Sequence, residues 1–481
     1  MIKSEYEYGS VQITLRTKQT DFLCPASGPG KGPAGRFPYM ERESMNTYYK
    51  VKGGTALCGD VTVSGAKNAA LPIIAASVMT GQCVTIGNVP DITDIRIMMD
   101  ALRHIGASVE RIDRHTFRIC GEKADPERPA DTEGLHTIRS SYYLLGSLLG
   151  RFGKARVALP GGDDIGSRGM NLHEKGFRAL GAEISYDQPG LCCVKADSLR
   201  GASVYLDTAS VGATMNIMMA AVRAHGVTLI ENAAREPHIV DLASFLNSMG
   251  AQIRGAGTSS IRITGVSSLH GTTYSIIPDQ IEAGTFMIAG AATGGDITLH
   301  GVIPRHMESV SAKLRETGCS VTCDRDTIRV CGGARPGKAN VATLPYPGFP
   351  TDMQPMMTVL LGLSRGVSTV TENVFDSRFK YTRELCRMGA SIQVFGRTAV
   401  IEGVESYRAS LLEIPDIRAG AALVIAALAA KGTSEIRGIC HIERGYEDFP
   451  EKLALLGAEI KRVNAGPREE NAMDREAAGS A

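Results

Sequence analysis

The chain predicts an α/β protein of two or three domains, an inside-out barrel in which six repeats of about 70 residues place helices inside and sheets outside. Three observations predict it. A helix-like stretch ending in Gly-Ala or a near variant and running into a β-branched segment occurs six times. Its glycines, Gly106, Gly181, Gly250, Gly318, Gly389 and Gly457, are spaced by 75, 69, 68, 71 and 68 residues, too regular for a chance recurrence of a common helix ending. Ahead of each copy lies a second helix candidate that is apolar almost all round, which places it inside, whereas helices such as Glu174-Lys-Gly-Phe-Arg178 are amphipathic and half exposed.

The inner helix candidates all begin in small or polar residues. The starts are Ser64-Gly-Ala-Lys-Asn68, Ile138-Arg-Ser-Ser141, Ala209-Ser-Val-Gly-Ala-Thr214, Asp279-Gln-Ile-Glu-Ala-Gly-Thr285, Phe349-Pro-Thr-Asp-Met353 and Pro415-Asp-Ile-Arg-Ala-Gly420. Each leads into an apolar run, then a Gly and a strand pattern such as Val84-Thr-Ile-Gly-Asn-Val89 or Val227-Thr-Leu-Ile-Glu231, so one unit reads as α-β-α-β. Helix starts of this kind leave backbone N–H groups free for anions, and the helix dipole adds a favourable field. Six such ends near one cleft would make a phosphate site.

Composition narrows the function. With 481 residues, 43% hydrophobic and 21% charged, the chain can bury a large core. Its 52 basic and 51 acidic residues set up no global field for nucleic acid or anionic membrane, and with no Trp and 5% aromatic residues it has no stacking platform for bases. A small anion met by a local cluster fits better. The eleven cysteines show neither a zinc spacing nor a small disulfide framework, and read as reduced thiols, mostly in the core, of a cytoplasmic protein. The apolar run at 420–430, bounded by Arg418 and Lys431, is too short to span a membrane. No nucleotide-binding loop, dinucleotide fingerprint or metal motif is present, so neither a cofactor nor a metal is expected.

Residues 1–44 carry a Pro/Gly cluster without apolar periodicity and read as a disordered extension. Translation is expected to begin at Met45, a reading that an upstream peptide in native protein would refute. The tail at 465–481 reads as mobile.

Four segments then carry chemistry: Lys67-Asn68 within Ser64-Gly-Ala-Lys-Asn-Ala-Ala-Leu-Pro72, Leu159-Pro-Gly-Gly-Asp-Asp-Ile-Gly-Ser-Arg168, Phe349-Pro-Thr-Asp-Met-Gln354 and His441-Ile-Glu-Arg-Gly-Tyr-Glu447. Together, in this order and in separate repeats, they resemble the enolpyruvyl transferases over about residues 45–463. The resemblance implies two three-unit domains facing a cleft: 45–65 plus 278–464, and 66–277, the latter with a mobile loop at about 159–170. It also implies substrates, phosphoenolpyruvate and UDP-N-acetylglucosamine, and a place at the first committed step of peptidoglycan synthesis. A branch of the family acting on shikimate 3-phosphate carries a Lys-Ser-type segment at Lys67-Asn68 and matches less well.

The implied reaction is attack of the sugar 3-hydroxyl on C2 of phosphoenolpyruvate, protonation of C3, then loss of phosphate. It needs cations for a phosphate and a carboxylate, a base and an acid. By resemblance Lys67, Asn68, Arg168, Arg418 and Arg444 bind phosphoenolpyruvate, guanidinium forks suiting both anionic groups. Arg139, Arg168, Ser210, Val211, Gly212, Asp352 and Val374 line the nucleotide sugar, with Asp94 and Arg378 further cleft residues. Asp352 is the implied base toward the hydroxyl, although Pro-Thr-Asp is also an ordinary helix cap.

The departure lies in the loop. Most members have Cys after Pro-Gly-Gly, and this chain has Asp163 followed by Asp164. A thiol titrates at about 8.5 and Asp at about 3.9, so an acid here must be helped to hold its proton, by burial or by the like charge of Asp164, with Arg168 opposing. Insensitivity to the epoxide antibiotic fosfomycin is then expected, because a carboxylate cannot form the stable thioether that the family's cysteine makes. The loop also reads Ser167-Arg168-Gly169-Met170-Asn171 where a typical member has Arg-Pro and a β-branched residue. Two other readings follow: a paralogue using another nucleotide sugar, and an inactive homologue kept as a regulatory binding protein. Lys67, Arg168, Arg418 and Arg444 argue against the second, since a scaffold has no need of them. Oligomeric state is not legible.

Overall fold

In the computed structural model, which describes residues 47–464 apart from Ser167 and Pro189, all six repeat glycines have positive φ, from +91° at Gly181 to +99° at Gly250. L side chains rarely adopt that conformation, and each glycine sits just past a helix end, where it turns the chain into the following strand. The segment at 1–44 with Cys24, the expected start at Met45 and the tail at 465–481 lie outside the described residues.

Six inner helices carry the interior: α1 Lys67–Ala76, α2 Tyr143–Phe152, α3 Val211–Ala221, α4 Gln280–Ala292, α5 Gln354–Gly362 and α6 Ile417–Ala429. Helices α4, α5 and α6 pack on one another, and α2 lies against both α1 and α3. In α3 every residue from Gly212 to Ala221 is buried, and in α6 every residue from Ile417 to Leu428. A fully buried Leu or Ile contributes roughly 1.5–3 kcal/mol, so these helices are held by packing on all sides. The buried apolar side chains form two clusters, one from residues 66–276 and one from 49–63 with 281–460.

The unit is richer than α-β-α-β. A short strand precedes the inner helix and a hairpin ends the unit, giving β-α-β-α-β-β. In the third repeat, Ser203–Tyr205 leads into α3 and then pairs in parallel with Val227–Glu231, which is followed by the outer helix Pro237–Ser248 and the hairpin Gln252–Arg254 and Ser260–Thr264. Pattern reading misses the three-residue edge strand because it is too short to show alternation. Among the described residues there are six sheets, five of four strands and one of three, and none closes on itself as a barrel.

Two exchanges interrupt the repetition. Cys58–Thr62, which leads into α1, pairs in parallel with Asp296–His300 of the fourth repeat. Thr273–Ser275, which leads into α4, pairs with Cys83–Gly87 of the first. The chain therefore crosses between the two clusters at residues 63–66 and 276–279. The first strand, Thr47–Lys52, completes the last repeat's sheet between Thr433–Arg437 and Glu459–Asn464.

One cysteine expectation is overturned. Cys83 and Cys120 face each other across antiparallel strands and form a disulfide, with Cα atoms 4.0 Å apart. At 37 residues' separation no spacing motif announces it. Nor do the thiols lie mostly in the core: Cys192, Cys193 and Cys319 are buried, but Cys58, Cys323 and Cys386 are exposed. Among the described residues no helix is long and apolar enough to cross a membrane, and no group of three His, Cys, Asp or Glu is placed to hold a metal ion.

Candidate active site

Because the edge strand and the strand after the inner helix run parallel, the connections leaving their C-terminal ends open on the same side. Those two sets of connections supply the site. Inner-helix starts bring Lys67 and Asn68 (α1), Arg139 (before α2), Ser210 (α3), Asp279 (α4), Asp352 (before α5) and Arg418 (α6), while the approaches to the outer helices bring Asp94, Asp163, Arg168, Arg378 and Arg444.

Lys67 is buried with its Nζ 2.7 Å from Asp94 Oδ2. Arg444 donates Nε to Asp94 Oδ1 at 2.9 Å, Nη2 to the Thr137 carbonyl at 3.2 Å, and Nη1 to Asp163 Oδ1 at 3.4 Å. Burial lowers the Lys67 ammonium below its ordinary range, with Asp94 opposing and Arg444 and Arg418 reinforcing the shift. Burial alone would raise Asp94, but the Lys67 and Arg444 charges hold its carboxyl below the usual range.

A second group surrounds Asp352. Arg378 Nη2 donates to its Oδ1 at 3.0 Å and Arg418 Nε to its Oδ2 at 3.3 Å. Burial pushes this carboxyl up, yet the Arg418 and Arg378 charges outweigh it and bring it to about 2. Arg418 lies 5.3 Å over the Tyr446 ring, and Arg378 5.7 Å over Phe375. Two donors here, Arg418 Nη1 and Arg378 Nε, are buried without a hydrogen-bond partner among the described residues. A buried, unsatisfied guanidinium N–H is costly unless something anionic meets it.

The loop at 159–170 lies across to the other half. The Ser377 N–H donates to the Ile165 carbonyl at 3.1 Å, Lys380 pairs with Asp164, and Arg168 sits 5.8 Å over the Phe375 ring. Arg168 also donates to the Asp163 carbonyl and Arg139 to the Arg168 carbonyl.

The family model for EPSP synthase (3-phosphoshikimate 1-carboxyvinyltransferase) matches residues 51–453. The chain belongs to the enolpyruvyl transferase family. Within it, the chain is 49% identical over 415 residues to UDP-N-acetylglucosamine 1-carboxyvinyltransferase of Clostridium botulinum, covering 86% of this chain and 99% of that one. It is 50% identical over 413 residues to UDP-N-acetylglucosamine 1-carboxyvinyltransferase 2 of Clostridium acetobutylicum, covering 86% and 98%. Among solved structures it resembles the enolpyruvyl transferase NikO from Streptomyces tendae, with TM-score 0.78 and 24% identity over 87% of this chain and 99% of that one. EPSP synthase from Acinetobacter baumannii follows with TM-score 0.67 and 20% identity over 87% and 99%. At these identities the structures speak for the fold alone.

In this transferase the remaining sequence candidates divide. Arg139 lies 5.5 Å over the Tyr142 ring, and Gly212 approaches the same ring so closely that a Cβ there would stand 2.5 Å from the Tyr142 hydroxyl. Ser210 caps α3, its Oγ accepting the Ala213 N–H at 3.3 Å, and Val211 opens that helix. Asn68 is half-buried beside Lys67. Val374 is 38% exposed, next to Phe375 on the segment that the loop meets.

Of the two roles the sequence allows Asp352, base or helix cap, the cap is not made: two arginines hold its carboxylate. Asp164 turns outward, 88% exposed, onto Lys380. The sequence marks Asp279 and Asp416 only as helix starts. Both are buried caps: Asp416 Oδ1 accepts the N–H groups of Arg418 and Ala419, each at 3.0 Å, and burial raises its carboxyl against the pull of Arg378. The one available signal, an acid two residues before Arg418, looks like any cap.

Proposed function

We propose that the chain transfers the enolpyruvyl group of phosphoenolpyruvate to the sugar 3-hydroxyl of UDP-N-acetylglucosamine with release of phosphate, the first committed step of peptidoglycan synthesis in a bacterial cytoplasm. The observation that carries the reading is the buried cation group of Lys67, Arg378, Arg418 and Arg444, in which Arg418 Nη1 and Arg378 Nε are buried with no hydrogen-bond partner among the described residues. The names of the relatives support the nucleotide sugar as acceptor.

In this reading Arg418 takes the phosphoenolpyruvate carboxylate, and Lys67, Arg168 and Arg444 take its phosphate. Asp352 accepts the hydroxyl proton as the oxygen bonds to C2. A carboxylate held near the foot of its range is a weak base, but once Arg418 is turned to the substrate carboxylate, one of the two charges depressing Asp352 is answered and its basicity rises. Asp163 delivers a proton to C3. Collapse of the tetrahedral intermediate then returns a C3 proton to the Asp163 carboxylate, the C–H electrons forming the C2–C3 double bond as the C2–O bond to phosphate breaks, and phosphate leaves in the cradle of cations. Arg139, Ser210, Val211, Gly212 and Val374 line the nucleotide sugar. Residues 66–277 and 45–65 with 278–464 act as two domains closing on the substrates, with the 159–170 loop as lid. With Asp163 at the lid position the enzyme is insensitive to fosfomycin.

The test is phosphate release from phosphoenolpyruvate with and without UDP-N-acetylglucosamine, repeated after fosfomycin pre-incubation. Sugar-dependent, fosfomycin-indifferent release is expected. Release only with a different UDP-sugar would move the assignment to a paralogue, and no release with any would leave a binding protein.

A further inference from the structure

Both crossings between the halves are gripped by one helix end. Asp279 takes the α4 amide of Ile281 on Oδ1 at 2.7 Å and the α1 amide of Lys67 on Oδ2 at 3.3 Å, so a single carboxylate serves two helices on opposite sides of the cleft. Beyond it in α4, Glu282 Oε2 accepts the Ser64 N–H at 2.8 Å, and Oε1 accepts Lys452 Nζ. Lys452 also donates to Ser64 Oγ at 2.6 Å. The clamp therefore joins the crossing at 63–66, the first turn of α4, and the outer helix Phe449–Leu455, which follows Arg444 and Tyr446 in the chain.

Glu282 is 4% exposed and has no role in the transfer chemistry. A buried ion pair is weak evidence for stability, since an apolar replacement of similar volume is often as good, and the better attested use of such pairs is to fix a register. The register here is that of the hinge: Ser64 is bonded through its backbone and lies three residues from Lys67. Burial pushes the Glu282 carboxyl up to about 7, with Lys452 and the Ser64 amide opposing and the Asp279 charge reinforcing.

We propose that Glu282 is a positioning residue for the transferase: with Lys452 it pins the crossing at Ser64, so that Lys67 meets Arg418 and Arg444 in the closed site. The proposal rests on Lys67 binding phosphoenolpyruvate. Without the clamp each half keeps its own packed core, but the halves settle into a range of relative orientations, and the ligand that both must touch binds less well.

The test compares Glu282→Gln, Lys452→Gln and the double variant with the parent. Each single variant is expected to raise KM for phosphoenolpyruvate about tenfold, with kcat changed less than threefold, and to speed amide exchange at 64–67 about tenfold while leaving 297–299 unchanged. The double variant, in which two amides can bond without charge, is expected to recover most of the KM. The proposal is overturned if both folded single variants keep KM and hinge exchange within about twofold of the parent, or if exchange rises equally throughout. Should Glu282→Gln fail to fold, Lys452→Gln decides by the same two readouts. A parent without turnover would sink the functional reading, and hinge exchange would still decide this one.

Discussion

Arg444 and Lys67 share one carboxylate: Asp94 takes Arg444 Nε on Oδ1 at 2.9 Å and Lys67 Nζ on Oδ2 at 2.7 Å. Asp94 and Lys67 belong to the first cluster's side of the chain and Arg444 to the second, so the shared carboxylate ties the halves together where the phosphate is proposed to bind. An incoming phosphate would compete for donors already aligned, which needs little reorganisation of the protein.

Arg444→Lys tests the fork. The charge survives, but the simultaneous bonds to Asp94, Thr137 and Asp163 do not, and lysine cannot replace a planar bidentate donor. A loss in kcat/KM of roughly 10²-fold is expected. Steady-state rates within about threefold of the parent would remove Arg444 from the phosphate site.

Asp163→Cys places a thiol at the lid. Time-dependent inactivation by fosfomycin should appear, with activity extending toward higher pH because a thiol keeps its proton to about 8.5. Mass spectrometry should find the adduct on residue 163. A variant that stays insensitive would argue against the loop assignment.

Asp352→Asn removes the negative charge between Arg378 and Arg418 and turns one of its two acceptor oxygens into a donor, with little change of shape. As base toward the hydroxyl, Asp352 should matter for kcat by roughly 10²–10⁴-fold. A change confined to KM would make it a binding residue.

His173 gives a pH signature. It is buried, Asn216 Nδ2 lies 2.9 Å from its Nδ1, and burial, helped by the Arg139 charge, lowers its pKa to about 3. A folded-state pKa below the ordinary 6.5 means its contribution to stability is complete above about 6.5 and drains away as pH falls toward 3, by up to roughly 5 kcal/mol. Its ring resonances should not titrate between about pH 8 and 5, and His173→Gln should flatten the stability profile between about pH 6.5 and 3.

The repeat glycines separate conformation from space. Gly457 has φ +92° and open space around a would-be Cβ, whereas Gly106 has φ +98° and the Lys123 carbonyl oxygen 2.5 Å from that position. Gly457→Ala should cost about 1–2 kcal/mol from backbone strain alone. Gly106→Ala should cost more, because backbone must also move. Equal losses in denaturant titrations would show that the close approach relaxes without cost.

The architecture was legible because it is periodic. Six glycines at near-constant spacing, six apolar helices with small or polar starts, and amphipathic helices between them follow from helix geometry and burial, which act locally and leave a pattern in the residues. Three cations were legible too, since Lys67, Arg168 and Arg444 sit in motifs that carry a family likeness. What stayed hidden depends on which strands pair. The exchange of Cys58–Thr62 and Thr273–Ser275 between repeats, the Cys83–Cys120 disulfide set by a register, and the shared Asp94 carboxylate join residues far apart in the chain. The same holds for the surroundings of Asp352, whose sequence fits a base or a helix cap alike, because two guanidiniums brought from elsewhere outweigh its own burial. Local propensity and periodicity determined the elements; long-range packing alone decided which charges meet, and the chemistry depends on those meetings.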